Sequence, residues 1–340
     1  MEKKLPFILL KDNYGAQYQN YFLSIALTNP NNRFFVYENY IELGVKHDYD
    51  NHIDYSFDGI YTCDRSIMNK FVIRGPVENL NSVIKESIDS GYYVILNVNE
   101  EFLPNRQAYK SHYFRHDLLI LGYNDNDQYI TVGFDRNMQY SEVCYDFCII
   151  EEAYYKMQNE WDYEVFIFDF NKTYSIELNK EKIRLHLENF CSGNNPNKLY
   201  FQEFLKNPSR SIEFVNNSYV GDYYGINVYD YLIERIKKQY KIIGRAKENE
   251  KLGVLDLRSL NTLKTHDMIL EYMIKDIAND IPDELLNLLD KNQKQIAGVK
   301  ILILKYLSDG QVGNCRKAVR KLEEIKKREL VIIKNILEIL

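Results

Sequence analysis

A histidine that opens an apolar run, with a carboxylate just past the next run, is a pattern from which an acid–base pair can be built. His116 and Asp135 supply it here. The run Arg115-His116-Asp117-Leu118-Leu119-Ile120-Leu121-Gly122-Tyr123 closes on Asn124-Asp125-Asn126-Asp127, and Gln128 to Phe134 resumes directly. Read as an antiparallel hairpin, the two runs place His116 and Asp135 at equal distances from their loop, so that they should meet. A carboxylate beside an imidazole fixes its tautomer and stabilises the imidazolium, which is what a general base serving a nucleophile needs. A histidine at such a place can equally be a satisfied structural residue, and the pair alone does not separate the two.

Other reactive types are less well placed. The five cysteines, Cys63, Cys144, Cys148, Cys191 and Cys315, form no C-x-x-C pair, so neither a disulfide framework nor a zinc knuckle is implied, and a reducing cytoplasm fits. Cys63 precedes His116 but lies in the strand-like Gly59-Ile60-Tyr61-Thr62-Cys63. Cys144 and Cys148 read as packed hydrophobes in a β-like run, and Cys191 and Cys315 fall on helical segments. His47 and His52 flank Asp48, Asp50 and Asp54, a spacing that fits no compact zinc pattern and suggests a solvated acidic loop. His112 either lines a site or belongs to its loop. Neither G-x-x-x-x-G-K nor G-x-G-x-x-G occurs, and no cofactor or metal is implied.

The elements that must position His116 are short strands and two helices. Strands are expected over Tyr92 to Val98, Asp117 to Tyr123, Gln128 to Phe134 and Glu164 to Phe170, the last closing the sheet. Helices are expected over Gln17 to Thr28 and over Asn79 to Ser90, the latter ended by Gly91. From Ile226 the apolar spacing turns helical, over Ile226 to Gln239, Asp256 to Ile277, Asp283 to Leu307 and Gly313 to Leu340. The fold class is therefore α+β, a sheet domain over 1–172 followed by a mainly helical domain over 173–340.

Composition narrows the partners. In 340 residues, 45% apolar and 27% charged, with net charge −6, there is material for about two globular domains but no basic footprint for nucleic acid. The 29 tyrosines do not change that without a cationic groove beside them. The longest apolar runs, such as Leu118 to Leu121 and Leu330 to Ile333, are far shorter than the roughly 20 residues that span a bilayer. No membrane partner is expected. The Phe7-Ile8-Leu9-Leu10 run near the start has no small-residue cleavage site after it and reads as a first strand.

The order of a helix-opening residue near the start, then a histidine opening a strand that ends in Gly122-Tyr123, then an acidic residue on the next strand, resembles papain-fold cysteine peptidases of the bacteriocin-leader type. Gly91 to Tyr123, with Phe102-Leu103-Pro104 and His116, is similar to the butirosin-type acyltransferase family of thiotemplated peptide assembly lines. Tyr224-Gly225-Ile226-Asn227-Val228-Tyr229 and the stretch from Asp256-Leu257-Arg258 to His266 are also similar to it. The resemblance is loose but spans most of the chain. It implies a papain-like catalytic domain that takes an acyl group from an acyl or peptidyl carrier-protein thioester and passes it to a small amine. It also implies His116 as base, Asp135 as its orienter and a cysteine nucleophile at the start of the first helix, where this chain has Tyr14-Gly15-Ala16-Gln17-Tyr18. Ala16 is the matching position, and an alanine has no such chemistry. The competing reading of Ala16 is an ordinary helix former.

Asn13 is the side chain placed to donate to an oxyanion, with turn capping as its alternative. The loop from Asn99 to Arg115 and the helical domain would wall the pocket. An acidic carrier protein would need a local basic patch, and Lys237, Lys238, Lys241, Arg245 and Lys247 form the densest run, although a solvated helix face explains it as well. Three rivals share these residues: a cysteine peptidase, a pseudoenzyme that binds a carrier or peptide, and a structural interaction protein.

Overall fold

A computed structural model describes residues 2–10, 17–46, 51–56, 67–137, 139–170, 177–206, 219–243 and 257–340. Its elements, in chain order, are β1 (Lys3–Lys4), α1 (Gln17–Ala26), α2 (Pro30–Asn39), β2 (Leu43–Lys46), β3 (His52–Tyr55), β4 (Met68–Arg74), α3 (Leu80–Asp89), β5 (Tyr93–Asn99), β6 (Arg115–Tyr123), β7 (Gln128–Phe134), β8 (Tyr140–Asp146), α4 (Phe147–Tyr155) and β9 (Glu164–Phe170), then α5 (Lys180–Ser192), α6 (Pro196–Lys206), β10 (Tyr219–Tyr224), α7 (Val228–Ile243), α8 (Arg258–Ile277), α9 (Asp283–Asp309) and α10 (Val312–Ile339). The fold is mixed α+β, with antiparallel sheets and a helical C-terminal region. Among the described residues no helix is long and apolar enough to cross a membrane.

The chain divides into two compact units, one of residues 1–32 and 59–175, the other of residues 33–58 and 176–340. The division expected at residue 172 is therefore corrected in one segment. Residues 33–58 lie within the first half of the sequence but pack with the second, because β2 pairs with β10 as well as with β3.

The first unit holds a seven-stranded sheet in the order β4-β9-β5-β6-β7-β8, with β1 also on β6. Since β7 takes one edge of β6 as far as Tyr123, and β5 leaves the other at Ile120, β1 extends the β5 side. A Cβ on Gly122 would stand 2.0 Å from the Lys3 carbonyl oxygen, so a glycine is what lets β1 approach. The strand expected to close the sheet, β9, is instead interior, between β4 and β5. Its Val165, Phe166 and Phe168 are buried, a run without clean alternation as expected of a strand covered on both faces. In α3, Leu80, Ile84 and Ile88 recur every four residues and are fully buried.

Helix α1 is buried along nearly its whole length, including its polar Gln17, Gln19, Asn20 and Ser24. Two of its residues one turn apart explain part of this. The β6–β7 ladder is paired from Leu119↔Val132 toward the hairpin loop, and at that pair and beyond it α1 side chains bond the backbone of both strands. Gln17 donates from Nε2 to the Asp117 carbonyl (2.6 Å) and accepts at Oε1 from the Phe134 N–H (2.9 Å). The Tyr21 hydroxyl accepts from the Leu119 N–H (3.3 Å) and donates to the Val132 carbonyl (3.1 Å). Buried main-chain groups need such partners, and here a helix provides some of them.

In the second unit, β2, β3 and β10 form a small antiparallel sheet in the order β10-β2-β3. Helices α8, α9 and α10 present apolar stripes at helical spacing, such as Leu285, Leu289, Ile296, Val299 and Ile303 on α9 and Leu322, Ile325, Ile332, Ile333 and Ile336 on α10.

Tyr21→Phe removes only the hydroxyl that joins β6 to β7. It is expected to lower the unfolding free energy by about 1–3 kcal/mol, the cost of leaving a buried donor or acceptor unpaired, and to speed hydrogen exchange at the Leu119 amide. Urea denaturation and amide exchange measure both; an unchanged variant would show that α1 does not hold the strands.

Candidate active site

The strand that carries His116 is held from both sides. On one side β5 pairs with it, with Val98↔His116 and Asn99↔Arg115 in register. Past Asn99 the chain enters a short 3-10 turn, Glu100–Phe102, and the Glu100 N–H donates to the Phe114 carbonyl (2.9 Å). Asn99 accepts at Oδ1 from the N–H groups of Glu101 (3.1 Å) and Phe114 (3.2 Å), which closes the base of the loop between β5 and β6. Glu100 is thereby the diagonal cross-strand neighbour of His116, two positions beyond Val98.

The geometry around the imidazole follows from this frame. Glu100 Oε1 lies 3.4 Å from His116 Nδ1, and Asp117 Oδ1 lies 3.8 Å from Nε2. The Gln17 Nε2 amide also stands 3.1 Å from Nδ1. Phe114 stacks on the ring with centroids 5.5 Å apart and planes at 20°. The His116 side chain keeps 29% of its surface exposed, whereas Glu100 beneath it is buried. Burial disfavours the imidazolium, but the Glu100 hydrogen bond and the Asp117 and Glu100 charges outweigh it, so His116 titrates above its ordinary 6.5, with Arg106 opposing weakly.

Two partners contend for Nδ1. Gln17 is fixed by Asp117 and Phe134, and its second amide hydrogen favours the tautomer with the proton on Nε2. Glu100 favours a proton on Nδ1, which leaves the Nε2 lone pair available as a base. The raised pKa marks the carboxylate as the stronger partner of the charged ring.

Arg106 brings a positive charge near the ring. It is 3% exposed and donates from Nη1 to the Phe134 carbonyl. Its guanidinium stands where a side chain on β7 would be, since a Cβ on Gly133 would come within 2.6 Å of Nη1 and 3.0 Å of Gln17 Oε1. Gly133 thus makes room for both.

Asp135 is not the carboxylate on His116. Its Oδ1 accepts from the N–H groups of Asn137 (2.8 Å) and Gln139 (2.9 Å), which caps the turn into β8. Continuing the β6–β7 register would set residue 135 opposite residue 116, but Gln17 and Tyr21 stand at that end of the strands. Ala16 and Asn13 lie outside the described residues, as do Cys63, His47, Asp48 and Asp50.

Other expectations are corrected by burial. His52 and Asp54 sit on buried β3 rather than in a solvated loop, with Lys46 Nζ 3.5 Å from Asp54 Oδ2. Burial works to raise the Asp54 pKa, but Lys46 and His52 draw it down to about 2. Cys144 and Cys148 are exposed rather than packed, and Cys148 is on α4. His112 is exposed and meets Ser111 Oγ at 3.1 Å. Of the basic run, Lys237 pairs with Glu323 (3.5 Å) and Lys238 with Glu234 (3.7 Å). The Lys241 side chain, Arg245 and Lys247 lie outside the described residues.

Glu100, Gln17 and Arg106 were not singled out by sequence reasoning. Glu100 could have been found by applying the hairpin argument to β5 and β6, since a loop brings the residues at its two ends together. Gln17 and Arg106 carry no comparable signal. No protein-family model matches the chain, and no curated protein matches it at a significant level.

Glu100→Gln removes the main support of the charged imidazole and is expected to lower the His116 pKa, read by NMR titration of its ring resonances; Asp135→Asn should leave it in place. A raised folded-state pKa stabilises the fold below the ordinary 6.5 and loses that effect as pH rises through the folded value. The stability gap between wild type and His116→Gln should therefore shrink as pH increases across that range. A pKa that follows Asp135 instead would reverse the assignment.

Proposed function

We propose that this chain is built as a papain-like acyl-transfer protein, with His116 as the general base, Glu100 as its orienter and position 16 as the place of the nucleophile. The observation that carries the reading is the Glu100–His116 contact at 3.4 Å on a partly exposed imidazole, directly beside the first residue of α1. Gln17 is the covalent neighbour of residue 16, and its amide reaches Nδ1 at 3.1 Å. A cysteine preceding Gln17 would sit near the N-terminal end of α1, where the helix dipole favours a thiolate.

In a chain with cysteine at position 16, the thiolate attacks the carbonyl carbon of a carrier-protein thioester. The tetrahedral oxyanion collapses, expelling the carrier thiolate, which takes up the proton held on His116. The acyl group is now a thioester of the enzyme. An amine then attacks the same carbon while His116 Nε2 accepts its proton, and collapse releases the amide and returns the cysteine. Asn13 and the backbone N–H of residue 16 are the proposed oxyanion donors. Glu100 replaces Asp135 in the orienting role.

Ala16 offers no sulfur lone pair, so the chain as it stands is inert at the first step. That residue is also the one specific observation favouring a second reading, a protein that binds an acyl carrier or peptide and performs no chemistry. Hydrolysis of a peptide by the same residues differs only in the acceptor, and an assay offering water and an amine together separates the products.

Ala16→Cys is expected to acquire an acyl adduct from a short-chain acyl thioester, visible by intact mass, and to lose it as an amide when an amine is added. Ala16→Cys with His116→Ala should acylate about 10² to 10⁴-fold more slowly, the usual worth of general-base assistance. A cysteine at position 16 no more reactive than Cys63 would remove the enzyme reading and leave the binding one.

A further inference from the structure

Four buried polar side chains meet among the apolar stripes of α8, α9 and α10. There His266 and Asp267 on α8, Asn292 on α9 and Glu329 on α10 lie at or below 1% exposure. The His266 ring stacks on Phe190, with centroids 4.8 Å apart and planes at 15°, and its Nε2 is 3.1 Å from the Ile41 carbonyl oxygen. A carbonyl only accepts, so Nε2 carries a hydrogen and Nδ1 faces the other way. On that side Glu329 Oε1 is 3.3 Å away.

The outer contacts of this cluster are complete and the inner ones are not. Asn292 Nδ2 donates to Glu329 Oε2 (2.7 Å), and Arg328 Nη1 donates to Asn292 Oδ1 (2.8 Å) and Gln295 Oε1 (2.9 Å), which fixes the amide. Glu329 Oε1 and both oxygens of Asp267 meet no donor at hydrogen-bonding geometry, although all three atoms are buried. One ligand atom from each of His266, Asp267 and Glu329 lies within 4.8 Å of the others. The Tyr229 hydroxyl is also buried without a partner.

We propose that His266 Nδ1, Asp267 and Glu329 Oε1 bind one divalent transition-metal ion, of the Zn²⁺ class, that ties α8 to α10. Protons satisfy this arrangement less well. An imidazolium at His266 answers Glu329, and burial and the Glu329 charge then push the Asp267 carboxyl well above its ordinary range, so that it must hold a proton to stay buried. One dication answers all three groups. Tetrahedral ligands at about 2.0–2.2 Å from an ion stand about 3.4 Å apart, which the Nδ1–Oε1 separation of 3.3 Å matches. A ligating histidine donates its other N–H to a carbonyl, and a ligating carboxylate is itself hydrogen-bonded; Ile41 and Asn292 do both here. A mixed imidazole and carboxylate set suits Zn²⁺ or Mn²⁺ over Ca²⁺ or Mg²⁺. Closure of the site from solvent makes it structural rather than catalytic.

The test uses the full chain, stripped of metal by dipicolinate in mild urea, returned to buffer and titrated with CoCl₂ or ZnCl₂. The expected result is one Co²⁺ per chain, with visible d–d bands and no near-ultraviolet thiolate charge-transfer band, displaced by Zn²⁺ and accompanied by a rise in Tm. Asp267→Asn should abolish the bands, and Asn292→Ala should weaken binding about 10–100-fold, as loss of an outer contact does. A folded wild-type chain that binds no Co²⁺, that shows only thiolate bands, or whose Asp267→Asn variant binds as well, overturns the proposal and leaves a shared proton in the ion's place. Because the wild-type chain is itself titrated, misfolding of a variant does not obscure the answer.

Discussion

The site in the first unit depends on two α1 side chains that bond the end of a β-ladder. Gln17 and Tyr21, one turn apart, bond Leu119 and Val132 at the last pair of the β6–β7 ladder and Asp117 and Phe134 just beyond it. Each bond ties a main-chain group of β6 or β7 to α1, so helix and strands cannot shift independently. The same wedge brings the start of α1 against His116, because the Gln17 amide that bonds Asp117 also reaches the neighbouring imidazole. Gly133 permits the arrangement, since any side chain there would collide with Arg106 and Gln17.

That wedge also explains what was legible in the sequence and what was not. The hairpin of β6 and β7 was visible because its apolar runs flank Asn124-Asp125-Asn126-Asp127, and Gln128–Phe134 and Glu164–Phe170 match the expected strands end to end. Extrapolating the ladder to residues 116 and 135 assumed that a hairpin, once begun, continues. Local pattern cannot reveal that a helix far earlier in the chain takes over the bonds. Glu100 was within reach of the same reasoning, because β5 and β6 pair without interruption to Asn99↔Arg115. The segment 33–58 was harder. Its β2 and β3 are buried at every position, Lys46, His52 and Asp54 included, so the charges that read as solvated mark an internal ion cluster.

In the helical unit the period of the apolar residues was enough to place α7 to α10 within a few residues. The polar members of those stripes were harder to interpret one helix at a time. Glu329 follows Leu322 and Ile325 and precedes Ile332 and Ile333 at core spacing, and Asn292 lies between Leu289 and Ile296 in the same way. On a single helix either residue is an ordinary break in a stripe. Once three helices set their breaks at one level, the departures become one feature. Buried ionisable groups without partners are too costly to be neutral accidents of packing.

The two histidine–glutamate pairs of this chain show how exposure divides chemistry from architecture. His116 and Glu100 are 3.4 Å apart, and His266 and Glu329 are 3.3 Å apart, nearly the same contact. The first imidazole retains 29% of its surface, the second 1%. A proton or a substrate can reach the first ring from solvent, and the carboxylate behind it sets how readily that proton is held. The second ring can exchange neither without the helices parting, so whatever compensates Glu329 and Asp267 must be acquired as the unit folds. The same pair of side chains thus serves as a candidate base at the edge of a sheet and as a candidate cross-link inside a helical core. What differs is the path to water rather than the distance between the atoms.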